Sequence, residues 1–116
     1  MHALQRRLSE LIYSLIGDAD NILAPTVPVL APKIGAFDHA PPPKAFDEAA
    51  VLGAMTAGFN VTGQPAASIP AGICEKTRLP YAVQLAGRVG HDGDLFALCR
   101  QLEDAMPWRE RNNPLV

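Results

Sequence analysis

Cysteine, long apolar runs and clustered basic charge are all scarce in this 116-residue chain. The two cysteines, Cys74 and Cys99, form neither a C-x-x-C pair nor a metal-ligand spacing. They read as two buried or half-buried thiols in a reducing compartment, with a disulfide or a nucleophilic cysteine as the alternatives. The N-terminal stretch MHALQRRLSELIYSLIG is interrupted by polar residues. It resembles neither a signal peptide nor a transmembrane span, so no membrane partner and a cytoplasmic location are expected. The net charge is −2 and Arg6-Arg7 makes only a short basic cluster. A phosphate-neutralising stripe is missing, which excludes the usual signature of a nucleic-acid partner.

Hydrophobic residues make up 48% of the chain and charged residues 19%, the balance of a folded protein. The length suits one domain. Leu4, Leu8, Leu11, Ile12, Leu15 and Ile16 share one face of a helix over residues 2–16, and Gly17 is a suitable stop. Asn21-Ile22-Leu23-Ala24 reads as a short buried strand. Six of the eleven prolines then fall between Pro25 and Pro43, which predicts an extended loop over 25–46 with Pro41-Pro42-Pro43 locally polyproline-like. So long a loop suggests wrapping around a larger body.

Asp47 is a candidate N-cap for a helix carrying Val51, Leu52 and Met55, weakened by Gly53 and Gly58. Residues 60–65 have turn chemistry. Ala66–Ile69 and Tyr81–Gly87 read as strands around a polar loop at 74–79, forming a hairpin that leaves the first strand to pair elsewhere. The second of these strands is mostly apolar on both faces, as in a sheet covered by helices on each side. Asp92 can cap a last helix in which Leu95, Leu98, Cys99, Leu102 and Met106 recur at helical spacing, ended by Pro107. The tail WRERNNPLV is expected to be irregular. The pattern is an α/β chain of about three strands and three helices.

No catalytic set is visible in these residues. Ser9 and Ser14 lie on the first helix, and Ser68 sits in an apolar strand without a Gly-x-Ser-x-Gly elbow. His2, His39 and His91 share no ligand spacing, so no metal is expected. His91-Asp92 most simply belongs to a helix cap. Lys33, Lys44 and Lys76 lie in predicted loops without the apolar setting of a lysine base. Gly53, Gly58, Gly63 and Gly72 match no phosphate-binding fingerprint, and no cofactor is expected.

Three stretches nevertheless carry a resemblance. DNILAPTVPVLAP (20–32), FNVTGQPAASIPAG (59–72) and LPYAVQLAGRVGHDGDLFALCRQLEDAMPW (79–108) are similar, in order and spacing, to the C-terminal end of amidase-signature enzymes. The similarity covers essentially the whole chain. It implies the C-terminal segment (1–116) of an α/β/α layered fold around a large mixed sheet. It also implies hydrolysis of carboxylic amide C–N bonds by a Ser–cis-Ser–Lys triad, or ammonia release for transfer. That triad matches nothing here, so no catalytic residue is assigned to this chain.

The resemblance places two regions near substrate: Gly53, Met55, Thr56 and Ala57 on the helix before the F-N motif, and Pro25, Thr26 and Pro28 in the P-T-x-P loop. In the tRNA-linked glutamine amidotransferase branch of the family, an aspartate often stands where Gly53 stands here. Its replacement by glycine favours a generic amidase with room for a bulkier acyl group. The implied partners are a small amide substrate and the remainder of the amidase, or self-association. The rival reading is a stand-alone, non-catalytic binding or assembly module on an amidase-like scaffold.

Overall fold

A computed structural model of the chain describes residues 2–108. The elements run α1 (His2–Ile16), β1 (Ile22–Pro25), α2 (Pro42–Ala49), a 3-10 turn (Ala50–Gly53), α3 (Ala57–Thr62), β2 (Ala66–Ile73), β3 (Pro80–Ala86) and α4 (Asp92–Ala105). The strands form one antiparallel sheet in the order β1-β3-β2. The α/β class and the three strands agree with expectation. β1 does not pair away from the hairpin; it joins the other edge of β3, with Leu23 opposite Leu85 and Ala24 opposite Gln84.

Successive side chains on a strand point to opposite faces. Ala67, Ile69, Val83 and Leu85 point to the face that α4 covers with Leu95, Leu98, Cys99 and Leu102. This is the dry core. The opposite face carries Ser68 and Gln84, and Gln84 hydrogen-bonds to the carbonyl of Met55 in the helical segment above it. Helical layers therefore flank the sheet on both sides, as the layered resemblance implies.

The middle of the chain departs from expectation. Pro42 and Pro43 begin α2 and do not continue a polyproline stretch. Proline suits the first helical turn because its missing N–H has no intrahelical partner there. Asp47 consequently lies inside α2 and is not an N-cap. The single helix expected from Asp47 is instead three short pieces, and helical elements outnumber the three expected. Residues 60–62, expected as a turn, finish α3; Gly63, at φ 72°, supplies the left-handed C-cap.

β2 runs on to Ile73 through Pro70, with a bulge where Gly72 follows Pro70 in pairing against Tyr81 and Ala82. Proline and a bulge are tolerated there because β2 is an edge strand. α4 is capped by His91, not Asp92; Asp92 and Asp94 occupy its first turn, and the His91 imidazole pairs with Asp94 at 2.8 Å. α1 ends at Gly17 as expected, and Arg88 donates to the carbonyls of Gly17 (2.6 Å) and Ala19 (2.9 Å) just beyond it. The expectation for the tail falls outside the described residues after Trp108.

Large apolar side chains remain exposed on several surfaces: Leu4 (72%) and Leu15 (78%) on α1, Leu23 (67%) on β1 and Phe46 (74%) on α2. The accessible surface is 8702 Å², against about 6,100 Å² for a compact monomer of this mass. The radius of gyration is 16.7 Å, against roughly 13 Å for a compact domain of this length. Both sheet edges are also open. The chain produced alone is therefore expected to self-associate. Light scattering after gel filtration should report a mass above the 12.4 kDa monomer; a clean monomer with a sharp two-state melt would contradict this.

Candidate functional site

The sheet face opposite α4 holds a polar cavity of about 310 Å³, lined in part by Thr26, Thr56, Phe59, Gln64, Ser68 and Gln84. Three elements build it. Thr26 follows β1 and is held in line with the sheet by its N–H, which donates to the Ala82 carbonyl at 3.1 Å. Its hydroxyl lies 2.8 Å from that of Ser68 on β2. Thr56 leads into α3 and turns its hydroxyl back to the Gly53 carbonyl at 3.2 Å.

Two buried glutamines hold these walls together. Gln84, 3% exposed in the middle of β3, donates through Nε2 to the carbonyls of Pro25 (3.2 Å) and Met55 (2.7 Å). One carboxamide thus ties the P-T loop to the helical segment before the F-N motif. Gln64 donates to the Gly87 carbonyl at 2.8 Å and accepts from the Thr62 hydroxyl at 3.0 Å. It anchors the turn after α3 against the end of β3. Removing Gln64 strands the carbonyl of the buried Gly87, a loss of about 1–3 kcal/mol; removing Gln84 frees two part-buried carbonyls, of Pro25 and Met55.

Of the residues expected near substrate, Thr26 and Thr56 come together on the polar cavity. Met55 contributes its carbonyl to Gln84, while its side chain lines a separate apolar groove with Ile12, Ile16 and Phe59. Gly53 and Ala57 line none of these cavities. A Cβ built on Gly53 meets nothing within 4 Å, so a side chain there has open space. Pro25 is the last residue of β1, and Pro28 lies in the loop after it. A second groove, of about 410 Å³, is apolar and shares Thr26 with the polar cavity; Val27, Leu52, Pro70 and Tyr81 help line it.

Selection by residue type missed Gln84, Gln64 and Ser68 as wall residues. The signal for Gln84 was present: it is the one polar side chain in the apolar run Ala82–Gly87, and it stands in the third of the stretches that carry the family resemblance, 79–108.

Neither cysteine belongs to the cavity. Hydrogen bonds from the Thr77 side chain, and from backbone groups of Thr77 and Lys76, hold the Cys74 thiol below its ordinary pKa. Burial, with the Glu103 carboxylate adding to it, pushes Cys99 up. Both are free thiols. Because the thiolate is the reactive form, Cys74 should alkylate faster than Cys99 at neutral pH, and its rate should begin to climb at lower pH. Peptide mapping after timed iodoacetamide treatment checks this; equal rates would refute it. Among the described residues, no group of three or more His, Cys, Asp or Glu could hold a metal ion, and no helix is long and apolar enough to cross a membrane.

Comparison with known proteins agrees with this architecture. One relative is a glutamyl-tRNA(Gln) amidotransferase subunit of Thermotoga maritima, 33% identical over 107 residues, covering 92% of this chain and 21% of that protein. Another is the 6-aminohexanoate-cyclic-dimer hydrolase of Paenarthrobacter ureafaciens, 34% identical over 104 residues, covering 84% and 21%. A solved structure of a 6-aminohexanoate cyclic dimer hydrolase superposes with a TM-score of 0.74 at 30% identity, over 90% of this chain and 23% of that one. The solved T. maritima protein superposes with a TM-score of 0.66 at 33% identity, over 81% and 19%. The chain thus spans about a fifth of the length of these relatives. A family model described as Amidase matches residues 1–96, well over half of the sequence, and the chain belongs to the amidase family.

Proposed function

We propose that this chain is the C-terminal segment of an amidase that hydrolyses carboxylic amide C–N bonds in the cytoplasm. The Ser–cis-Ser–Lys triad of that enzyme lies outside residues 1–116. The chain's part is to complete the sheet and to supply one wall of the acyl pocket. Thr26, Gly53, Met55, Thr56 and Ala57 are the substrate-facing positions, and the remainder of the amidase is the partner that covers the exposed apolar faces.

One observation carries the reading. Thr26 and Thr56 come from segments 30 positions apart in the sequence, and they meet on one polar cavity clamped by Gln84. A concavity with a few convergent polar groups is the usual form of a small-molecule site. The exposed apolar surface on α1, α2 and β1 favours a segment of a larger body over a stand-alone module. Gly53 lines none of the cavities of this segment and is assigned to the pocket by the family resemblance; a Cβ built there meets nothing within 4 Å. That space supports room for a bulkier acyl group than a side chain there would leave.

Two outcomes test this. The purified chain alone should release no ammonia from small aliphatic or aromatic amides, and turnover that survives re-purification would overturn the assignment of the triad elsewhere. In the complete enzyme, Gly53→Asp should move acyl preference about tenfold away from bulky apolar groups, since each desolvated apolar contact contributes on the order of 1–3 kcal/mol to discrimination. Profiling a set of amides of graded acyl size reads that shift, and an unchanged profile removes Gly53 from the pocket.

A further inference from the structure

Gln84 is more than a clamp. Its Nε2 is occupied by the Pro25 and Met55 carbonyls. That fixes the orientation of the carboxamide, since a flipped amide would set its oxygen against two carbonyl oxygens. The group left over is Oε1. Among the described residues no donor is paired with it. Yet no buried side-chain nitrogen or oxygen is left without a partner among them, so Oε1 is open to the cavity that Gln84 lines. Gln64, the other buried glutamine on the same wall, has both ends engaged. The contrast isolates Gln84 as the deeply buried glutamine of the cavity with one end of its amide unengaged.

We infer that Gln84 Oε1 is the acceptor for a hydrogen-bond donor carried on the acyl side of the substrate. The enzyme then takes amides whose acyl group bears a hydroxyl or amino substituent. This assignment rests on the amidase reading above. An acceptor held in one orientation at the cavity wall discriminates by what it loses when substrate covers it: an acyl group without a donor leaves Oε1 desolvated and unpaired. The paired hydroxyls of Thr26 and Ser68, 2.8 Å apart at the same cavity, give the incoming polar substituent a polar surround, and Phe59 flanks it. The adjoining apolar groove beyond Thr26 leaves space for hydrocarbon.

The test uses the complete enzyme and primary amides in matched pairs of increasing acyl length, one member ending in a hydroxyl and the other in a methyl group. At the length that reaches Gln84, the unsubstituted enzyme should favour the hydroxyl member in kcat/KM by about tenfold, the scale of one well-made hydrogen bond. Gln84→Met should bring that ratio to about one or below, whatever it does to overall rate through the lost Pro25 and Met55 bonds. A purely structural role would lower both members equally and leave the ratio alone. A ratio at or below one at every length in the unsubstituted enzyme, or a preference that survives Gln84→Met, overturns the assignment. The first of these outcomes is available even if the variant does not fold. Failure of the enzyme to hydrolyse any amide is a different result: it sinks the amidase reading, and this one with it.

Discussion

The carboxamide of Gln84 is the constraint on which the cavity depends. An amide in the middle of an otherwise apolar strand is costly to bury unless its hydrogen bonds are made. Here they are made to the end of β1 and to the segment before α3. Those two segments are far apart in the chain; the first is held by its ladder with β3, and the second has little to hold it from its own neighbours. The helical segment is a 3-10 turn and a six-residue helix, too short to be stable by itself. With Thr26 already in line with the sheet, the Gln84 bond to Met55 ties the segment that carries Thr56 to that same wall.

The two faces of the sheet have different duties. Alternation along β2 and β3 sends Ile69 and Leu85 toward α4 and Ser68 and Gln84 the other way. Over β2 and β3 the first face is covered by α4. The second carries polar atoms in a concavity, the arrangement that suits recognition. α4 does not extend over β1, where Leu23 stays exposed on the face that holds the core. The same incompleteness shows on α1, whose apolar stripe has no full cover. These surfaces fit a chain that spans about a fifth of its relatives' length.

Much of the fold was legible in local pattern, and the exceptions are instructive. α1 and α4 have sustained apolar periodicity and clear stops, and both lie where periodicity puts them. β3 is an apolar run with one buried polar interruption. The stretch from Pro41 to Gly63 misleads because its signals compete. Three prolines read equally as an extended segment or as the first turn of a helix. Gly53 and Gly58 permit either one weak helix or several short pieces, and tertiary contacts choose between them. Pro70 looks like a strand terminator, yet an edge position and a bulge accommodate it.

The candidate site divides the same way. Family resemblance singled out Thr26 and Thr56, and the fold brings them to one cavity; it also singled out Gly53 and Ala57, which line none of the cavities described. Gln84 sat within a family motif without standing out, because a lone glutamine has no chemistry visible in one dimension. The sequence by itself determined which segments are helical at the ends, which strand is doubly covered, and that no nucleophile and base stand within local reach of each other. Only the tertiary structure decided that β1 lies against β3 and that Ser68 meets Thr26. It alone decided that Gln84 has its amide nitrogen occupied and its oxygen free. The reason is physical: periodicity is set by neighbours along the chain, whereas the partner of a buried polar group is set by whichever distant backbone the fold brings to it.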